Sequence, residues 1–135
     1  MRIITFGTFD LLHIGHINIL ERSKNFNNNS EKNELIVGIS SDDFSYKKKS
    51  KYPVYNQEQR KKILESLKFV DKVFIEESFE KKREYILENK ADVLIMGDDW
   101  KDKFNDFKDI CEVFYLPRTP SISTTEIVEI IKNNI

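Results

Sequence analysis

Five short apolar runs, rich in β-branched and aromatic residues, punctuate an otherwise polar chain: RIITF (2–6), ELIVGIS (34–40), DKVFI (71–75), DVLIMG (92–97) and CEVFYLP (111–117). Each has the length of a strand buried on both faces. The intervening segments change period: Ile63, Leu64 and Leu67 in NQEQRKKILESLKFV, and Tyr85, Ile86 and Leu87 in SFEKKREYILENK, carry helical spacing. Asn56 followed by Gln59 marks a helix start, and Ser123 followed by Glu126 has capping-box spacing ahead of Ile127, Ile130 and Ile131. This alternation predicts an α/β fold, a Rossmann-like three-layer sandwich with a five-stranded parallel sheet, whose ligands sit at the carboxyl ends of the strands. No internal repeat or linker divides the chain, so a single domain over 1–135 is expected. Two polar stretches interrupt the rhythm. NFNNNSEKN (25–33) reads as a surface loop, and SYKKKSKYP (45–53), directly after the second strand, as a working loop.

Composition narrows the partners. With 22 Lys and Arg against 23 Asp and Glu, the net charge is -1, which gives no general attraction to nucleic acid or an anionic membrane. The single cysteine, Cys111, excludes an internal disulfide framework and a cysteine-rich zinc site. No apolar run approaches the roughly 20 residues that span a bilayer, and Met1-Arg2-Ile3 enters an expected core strand with no signal-peptide pattern. A cytoplasmic protein is the expectation.

Candidate chemistry concentrates at two places. In GTFDLLHIGH (7–16) the segment His13-Ile14-Gly15-His16 falls where the first strand hands over to the first helix, a position whose free N–H groups and dipole favour an anion. Gly15 leaves room for an anion to approach the backbone, and two imidazoles three residues apart share one helical face from which they can donate to phosphate. Taken alone, the pair also fits a buried structural histidine beside an exposed one, or a metal site of Asp10, His13 and His16 that lacks a fourth ligand. The second place is RTPSISTTE (118–126), where Ser123, Thr124 and Thr125 cluster at an expected helix start just after Arg118. An ordinary cap explains the hydroxyls equally well.

Together, GTFDLLHIGH and RTPSISTT resemble the paired H-x-G-H and I-S-x-T signatures of the cytidylyltransferase and adenylyltransferase superfamily. YNQEQRKKILESLKFVD, DVLIMGDDW, KDKFNDFKD and CEVFYLPRT extend the resemblance, along nearly the whole chain, to the glycerol-3-phosphate cytidylyltransferase family. The resemblance implies transfer of CMP from CTP to sn-glycerol 3-phosphate, giving CDP-glycerol and pyrophosphate, with Mg²⁺ as cofactor and a homodimer as the assembly. It implies that Thr8, Phe9 and Gly15 line the nucleotide pocket and that His13 and His16 contact the triphosphate. By the same resemblance Arg118, Ser123, Thr124 and Thr125 grip the phosphates, while Asp99 in GDDW lies beside the base. Lys48 and Lys82 face the acceptor, and Asp10 is the one protein ligand suggested for a Mg²⁺ held mainly by phosphates.

Bland readings stand beside these assignments. Lys47, Lys48, Lys49 and Lys51 also read as a solvated charge run, Lys82 as an exposed helix lysine, and Gly97-Asp98-Asp99-Trp100 as a turn with a half-buried Trp. Asn56, Glu58 and Arg60 are left outside the site. The chain departs from the family pattern at Lys68, where a planar arginine fork is expected, and at Ser121, where a glycine is expected. The rival functions are transfer to phosphoethanolamine, phosphocholine or another small phosphorylated alcohol, adenylyl transfer to a phosphopantetheine-like acceptor, and a nucleotide-binding regulatory module without turnover.

Overall fold

The structure, a computed structural model, describes residues 1–118 and 123–133. Five strands, β1 (Arg2–Gly7), β2 (Glu34–Ser40), β3 (Lys72–Glu76), β4 (Val93–Gly97) and β5 (Glu112–Leu116), form one sheet in the order β3-β2-β1-β4-β5. All four pairings are parallel. The chain runs outward from β1 through β2 to β3, then returns to lay β4 against the other side of β1. That reversal opens a crevice beyond the carboxyl ends of β1 and β4.

Period-two alternation sorts the apolar residues onto the two faces. Ile3, Leu35, Val37, Ile39, Val93 and Ile95 pack with Leu20 of α1 (Ile14–Lys24) and Leu64 of α3 (Gln57–Glu65). Ile4, Phe6, Ile36, Leu94 and Met96 pack on the opposite face with Ile86 of α4 (Lys82–Glu88), Phe104 and Phe107. Gly38, in the middle of β2, has a packing reason: a Cβ there would meet the Phe6 and Phe74 rings at 2.7 Å. The three-layer α/β sandwich expected from the sequence is therefore the fold observed.

Helix starts follow the capping logic. Asn56 accepts the Gln59 N–H while the Gln59 side chain accepts the Asn56 N–H, a reciprocal box that opens α3. At α5 (Thr124–Asn133), Ser123 Oγ accepts the Glu126 N–H as its spacing foretold. Leu67 falls beyond the end of α3 but still packs on the core.

One expectation is corrected here. The lysine stretch is not a loop throughout, because α2 (Asp42–Lys49) carries Lys47, Lys48 and Lys49 in its last turn. Ser41 caps this helix by accepting the Phe44 N–H, and Asp42 and Asp43 sit in the first turn with three lysines in the last. Both charge placements complement the helix dipole, which is the signal the polar composition concealed. The stretch 25–33 is surface-exposed for the most part, with one short 3₁₀ turn at Phe26–Asn28; buried Asn33 closes it by donating to the carbonyls of Lys24 and Phe26.

Candidate functional site

A cleft of about 710 Å³ lies over the carboxyl ends of β1 and β4, and it brings together nearly all the residues singled out from the sequence. Thr8, Phe9, Asp10, His13, Gly15, His16, Lys48, Lys82, Asp99, Arg118, Ser123, Thr124 and Thr125 all line it. Lys49 lines it too, whereas Lys47, Lys51 and Lys68 do not. Lys68 instead places its ammonium over the Phe69 ring, 5.1 Å from the centroid, so its departure from arginine falls outside this cleft. Ser121 lies outside the described residues.

His13 is the N-cap of α1. Its Nδ1 accepts the Gly15 N–H at 3.0 Å, and His16 Nδ1 reaches back to accept the His13 N–H at 3.1 Å. A capping box normally built from a hydroxyl and a carboxamide is here built from two imidazoles. The consequence for chemistry is direct. A neutral imidazole whose Nδ1 accepts must carry its proton on Nε2, so both rings retain one N–H donor for a guest. Burial, reinforced by His13 and then Lys49, lowers His16 to a pKa of about 4, and burial with the nearby Arg118 lowers His13. At neutral pH the free protein thus offers neutral Nε2–H donors. This modifies the expectation that bare backbone amides receive the anion, since the Gly15 and His13 N–H groups are already bonded within the cap.

The loop before the histidines is held by its surroundings. Phe9 adopts φ 53, a left-handed conformation costly for an aromatic residue, and its ring contacts the His16 ring edge-on at 5.3 Å. A side chain at Gly7 would put its Cβ 2.9 Å from the Phe9 ring, so glycine is needed where that ring folds back. Asp10 accepts the N–H groups of Val54 and Tyr55, one on each oxygen. Its carboxylate fixes the segment ahead of α3 to the histidine loop, a task that the magnesium reading of Asp10 did not include. Among the described residues no group of three or more His, Cys, Asp or Glu side chains is arranged to hold a metal ion, and Asp10 and both histidine Nδ1 atoms already accept backbone N–H groups.

Arg60, set aside in the sequence reading, is the hub of this frame. Its fully buried guanidinium donates to the carbonyls of Thr8, Ser40 and Tyr55 and pairs with Asp42 at 2.8 Å. It therefore ties the ends of β1 and β2 to α2 and to the loop before α3. Only its periodic position on the buried face of α3, beside Leu64, could have announced it.

The opposite wall of the cleft is a cationic pocket with an acid at its base. Lys82, far from being exposed, is 4% accessible; its ammonium contacts Glu76 at 2.6 Å and lies 3.8 Å above the centre of the Phe6 ring. Lys48 donates to Ser40 Oγ at 2.7 Å and sits 4.5 Å from the centre of the Phe44 ring. Burial, offset by Glu76, lowers Lys48 to a pKa of about 8. Glu76 and Ser40 end adjacent strands and pair in register, so the sheet itself sets the acid and the hydroxyl side by side. Neither was singled out from the sequence. An acidic residue closing an apolar run is a weak signal until a lysine six residues later is seen to return to it.

At the remaining edge, Gly97 ends β4 and passes into a 3₁₀ turn, Asp98–Trp100, that puts Asp99 and Trp100 on the cleft. Thr124 Oγ1 donates to the Leu11 carbonyl at 3.4 Å, joining the start of α5 to the histidine loop across 113 residues of chain. Ser123 is engaged as the α5 cap, as the cap reading of the hydroxyl cluster requires.

Comparison with known proteins agrees with this geometry. The Cytidylyltransferase-like family matches residues 4–130. A glycerol-3-phosphate cytidylyltransferase of Bacillus subtilis (strain 168) is 48% identical over 95% of this chain and 95% of its own length. A glycerol-3-phosphate cytidylyltransferase of Staphylococcus aureus is 44% identical over 93% of this chain and 91% of its own. The crystal structure of a lipopolysaccharide core biosynthesis protein from Thermoplasma volcanium superposes with a TM-score of 0.73 at 25% identity, covering 88% of this chain and 98% of that one. Because the matched span runs from β1 to α5 and takes in both histidines, the lysine wall and the α5 hydroxyls, the chain belongs to the cytidylyltransferase-like family.

Proposed function

We propose that the protein is a glycerol-3-phosphate cytidylyltransferase, transferring CMP from CTP to sn-glycerol 3-phosphate with release of pyrophosphate. The observation that supports this reading is a single cleft lined by two sets of groups able to bind phosphate. The first is the Nε2–H donors of His13 and His16 with Arg118, Thr124 and Thr125, and the second is the buried Lys82 with the more exposed Lys48. A triphosphate suits the first and a small phosphate monoester the second. Relatives that match at 44–48% identity over nearly their full length bear this activity in their names.

The reaction needs no covalent protein intermediate. An anionic oxygen of the acceptor phosphate attacks the α-phosphorus, the bond to the bridging oxygen breaks, and its electron pair leaves with pyrophosphate. Negative charge grows on the non-bridging and leaving oxygens, so preorganised donors aimed at them lower the barrier. His13, His16 and Arg118 are the groups we assign to that work, and Lys48 and Lys82 to orienting the nucleophile. Mg²⁺ suits a donor set of imidazoles, ammoniums and few free carboxylates only if phosphate oxygens and water supply most of its ligands, as this ion prefers. When bound it would neutralise polyphosphate charge; of the cleft carboxylates Asp10, Glu76 and Asp99, Glu76 is taken by Lys82, which leaves Asp10 and Asp99 to meet the ion.

One domain, a homodimer and a cytoplasmic setting belong to the same reading; among the described residues no helix is long and apolar enough to cross a membrane. Phosphorus NMR of a mixture of protein, CTP, glycerol 3-phosphate and Mg²⁺ tests the assignment. The diphosphate diester signals of CDP-glycerol should grow in step with pyrophosphate, and a mixture in which the triphosphate persists would overturn it.

A further inference from the structure

The base of the cationic wall contains one carboxylate and two ammoniums. Glu76 is 1% accessible and binds Lys82 directly, and its charge also acts on Lys48, whose own hydrogen bond goes to the neighbouring strand end at Ser40. Around them stand the Phe6, Phe44, Phe79 and Phe104 rings. Rings attract cations but replace little of the hydration that burial removes. Lys82 is buried here and the more exposed Lys48 reaches in beside it; two ammoniums so placed repel each other and tend to lose protons, and a neutral amine is a poor receptor for phosphate.

We propose that Glu76 is a positioning residue for the acceptor: one buried carboxylate holds Lys82 in place and, from the strand end beside Ser40, to which Lys48 donates, keeps both ammoniums charged for a doubly charged phosphate monoester. With Glu76 the three groups sum to one positive charge, so the empty pocket is not left with an uncompensated cation pair and stays protonated and attractive to a dianion. The charged groups acting on Lys48 are Glu76 at the end of β3, Lys82 on α4, Lys49 on α2 and Arg60 on α3. Glu76 is the only acid among them. Burial pushes the Glu76 carboxyl up and the Lys82 ammonium down, while their mutual attraction opposes both shifts. The proposal rests on the acceptor reading given above, and its first test does not use an acceptor.

That test is the pH dependence of acetylation by trace acetic anhydride in the substrate-free protein, located at Lys48 by peptide mass spectrometry. The wild-type midpoint should lie near pH 8, and Glu76→Gln should move it at least one unit lower. An unmoved midpoint in folded Glu76→Gln would overturn the proposal. If Glu76→Gln does not fold by circular dichroism, Lys82→Met decides: relieved of the competing cation, Lys48 should titrate at higher pH, and an unchanged midpoint counts equally against the proposal. The second readout is steady-state kinetics with glycerol 3-phosphate at pH 8. Folded Glu76→Gln, or Lys82→Met where Glu76→Gln does not fold, should raise its KM at least tenfold while the KM for CTP stays within threefold. Equal losses for both substrates would assign Glu76 to the scaffold. If the wild type turns over CTP only with another acceptor, the acceptor reading fails, and the labelling result still judges Glu76.

Discussion

His13 and His16 lie stacked with ring centroids 3.8 Å apart and planes inclined by 23°, and each accepts a backbone N–H through Nδ1. The same two bonds that start α1 fix which nitrogen faces a ligand. Structural capping and the proposed catalytic role are therefore not competing explanations of this pair, because the cap dictates the Nε2–H tautomer that such a role would use.

His16→Ala should lower kcat by about 10²- to 10³-fold, on the order of 3–4 kcal/mol, with a much smaller rise in the KM for CTP. It should also cost roughly 1 kcal/mol of stability from the lost bond to the His13 N–H, the N3 half of the capping box. Stopped assays and thermal unfolding measure the two separately. His16→Asn, which keeps a donor, should recover part of the rate, and a folded His16→Ala protein with near-normal kcat would remove His16 from the chemistry.

The tautomer is itself measurable. Long-range proton–nitrogen NMR of the free protein should show His16 as the neutral Nε2–H form, titrating near pH 4. Burial lowers this pKa, so the neutral form is complete at pH 7 and yields to the cation only as the pH falls through that value. A Nδ1–H form, or a midpoint near the ordinary 6.5, would contradict the hydrogen-bond arrangement.

Arg60→Met leaves the carbonyls of Thr8, Ser40 and Tyr55 and the Asp42 carboxylate without their donor. Breaking a buried charged network of this kind costs about 3–5 kcal/mol, which urea unfolding should record. Arg60→Lys should not restore it, since one ammonium cannot span four acceptors in the plane of a guanidinium.

Much of this was legible in the sequence, and the omissions have physical causes. Strands declared themselves because runs buried on both faces must be apolar, and the starts of α3 and α5 because a cap requires particular side chains at a fixed spacing. The start of α2 was hidden by polar residues that read equally well as loop, although Ser41 and the ordered charges of its two ends carried the information. The histidine and hydroxyl motifs were visible as local patterns. Arg60 and Glu76 were not, because their importance comes from partners 52 and 6 residues away that only the folded sheet brings near. Lys82 shows the same limit: on an amphipathic helix a lysine is ordinarily solvated, and only the acid beneath it explains its burial.

Among the lysines of 47–51, alanine substitution should act unequally. Lys48→Ala should raise the KM for glycerol 3-phosphate at least tenfold, Lys49→Ala should have an intermediate effect from the cleft wall, and Lys47→Ala and Lys51→Ala should stay within twofold. With the wild type, kcat/KM for the acceptor should fall as pH rises through about 8, because in the proposed role Lys48 would bind phosphate only when protonated and its pKa is lowered to that region. Equal small losses at all four positions, or a profile flat to pH 10, would make the run a solvated face.

The account stands most directly on substrate choice, measured as pyrophosphate release by the wild-type protein with Mg²⁺ and each pairing of CTP or ATP with glycerol 3-phosphate, phosphocholine or phosphoethanolamine. Rapid release with CTP and glycerol 3-phosphate, abolished by omitting either substrate or by chelating the metal, is the expected result. Faster release with ATP, preference for phosphocholine, or no release with any pairing would contradict it.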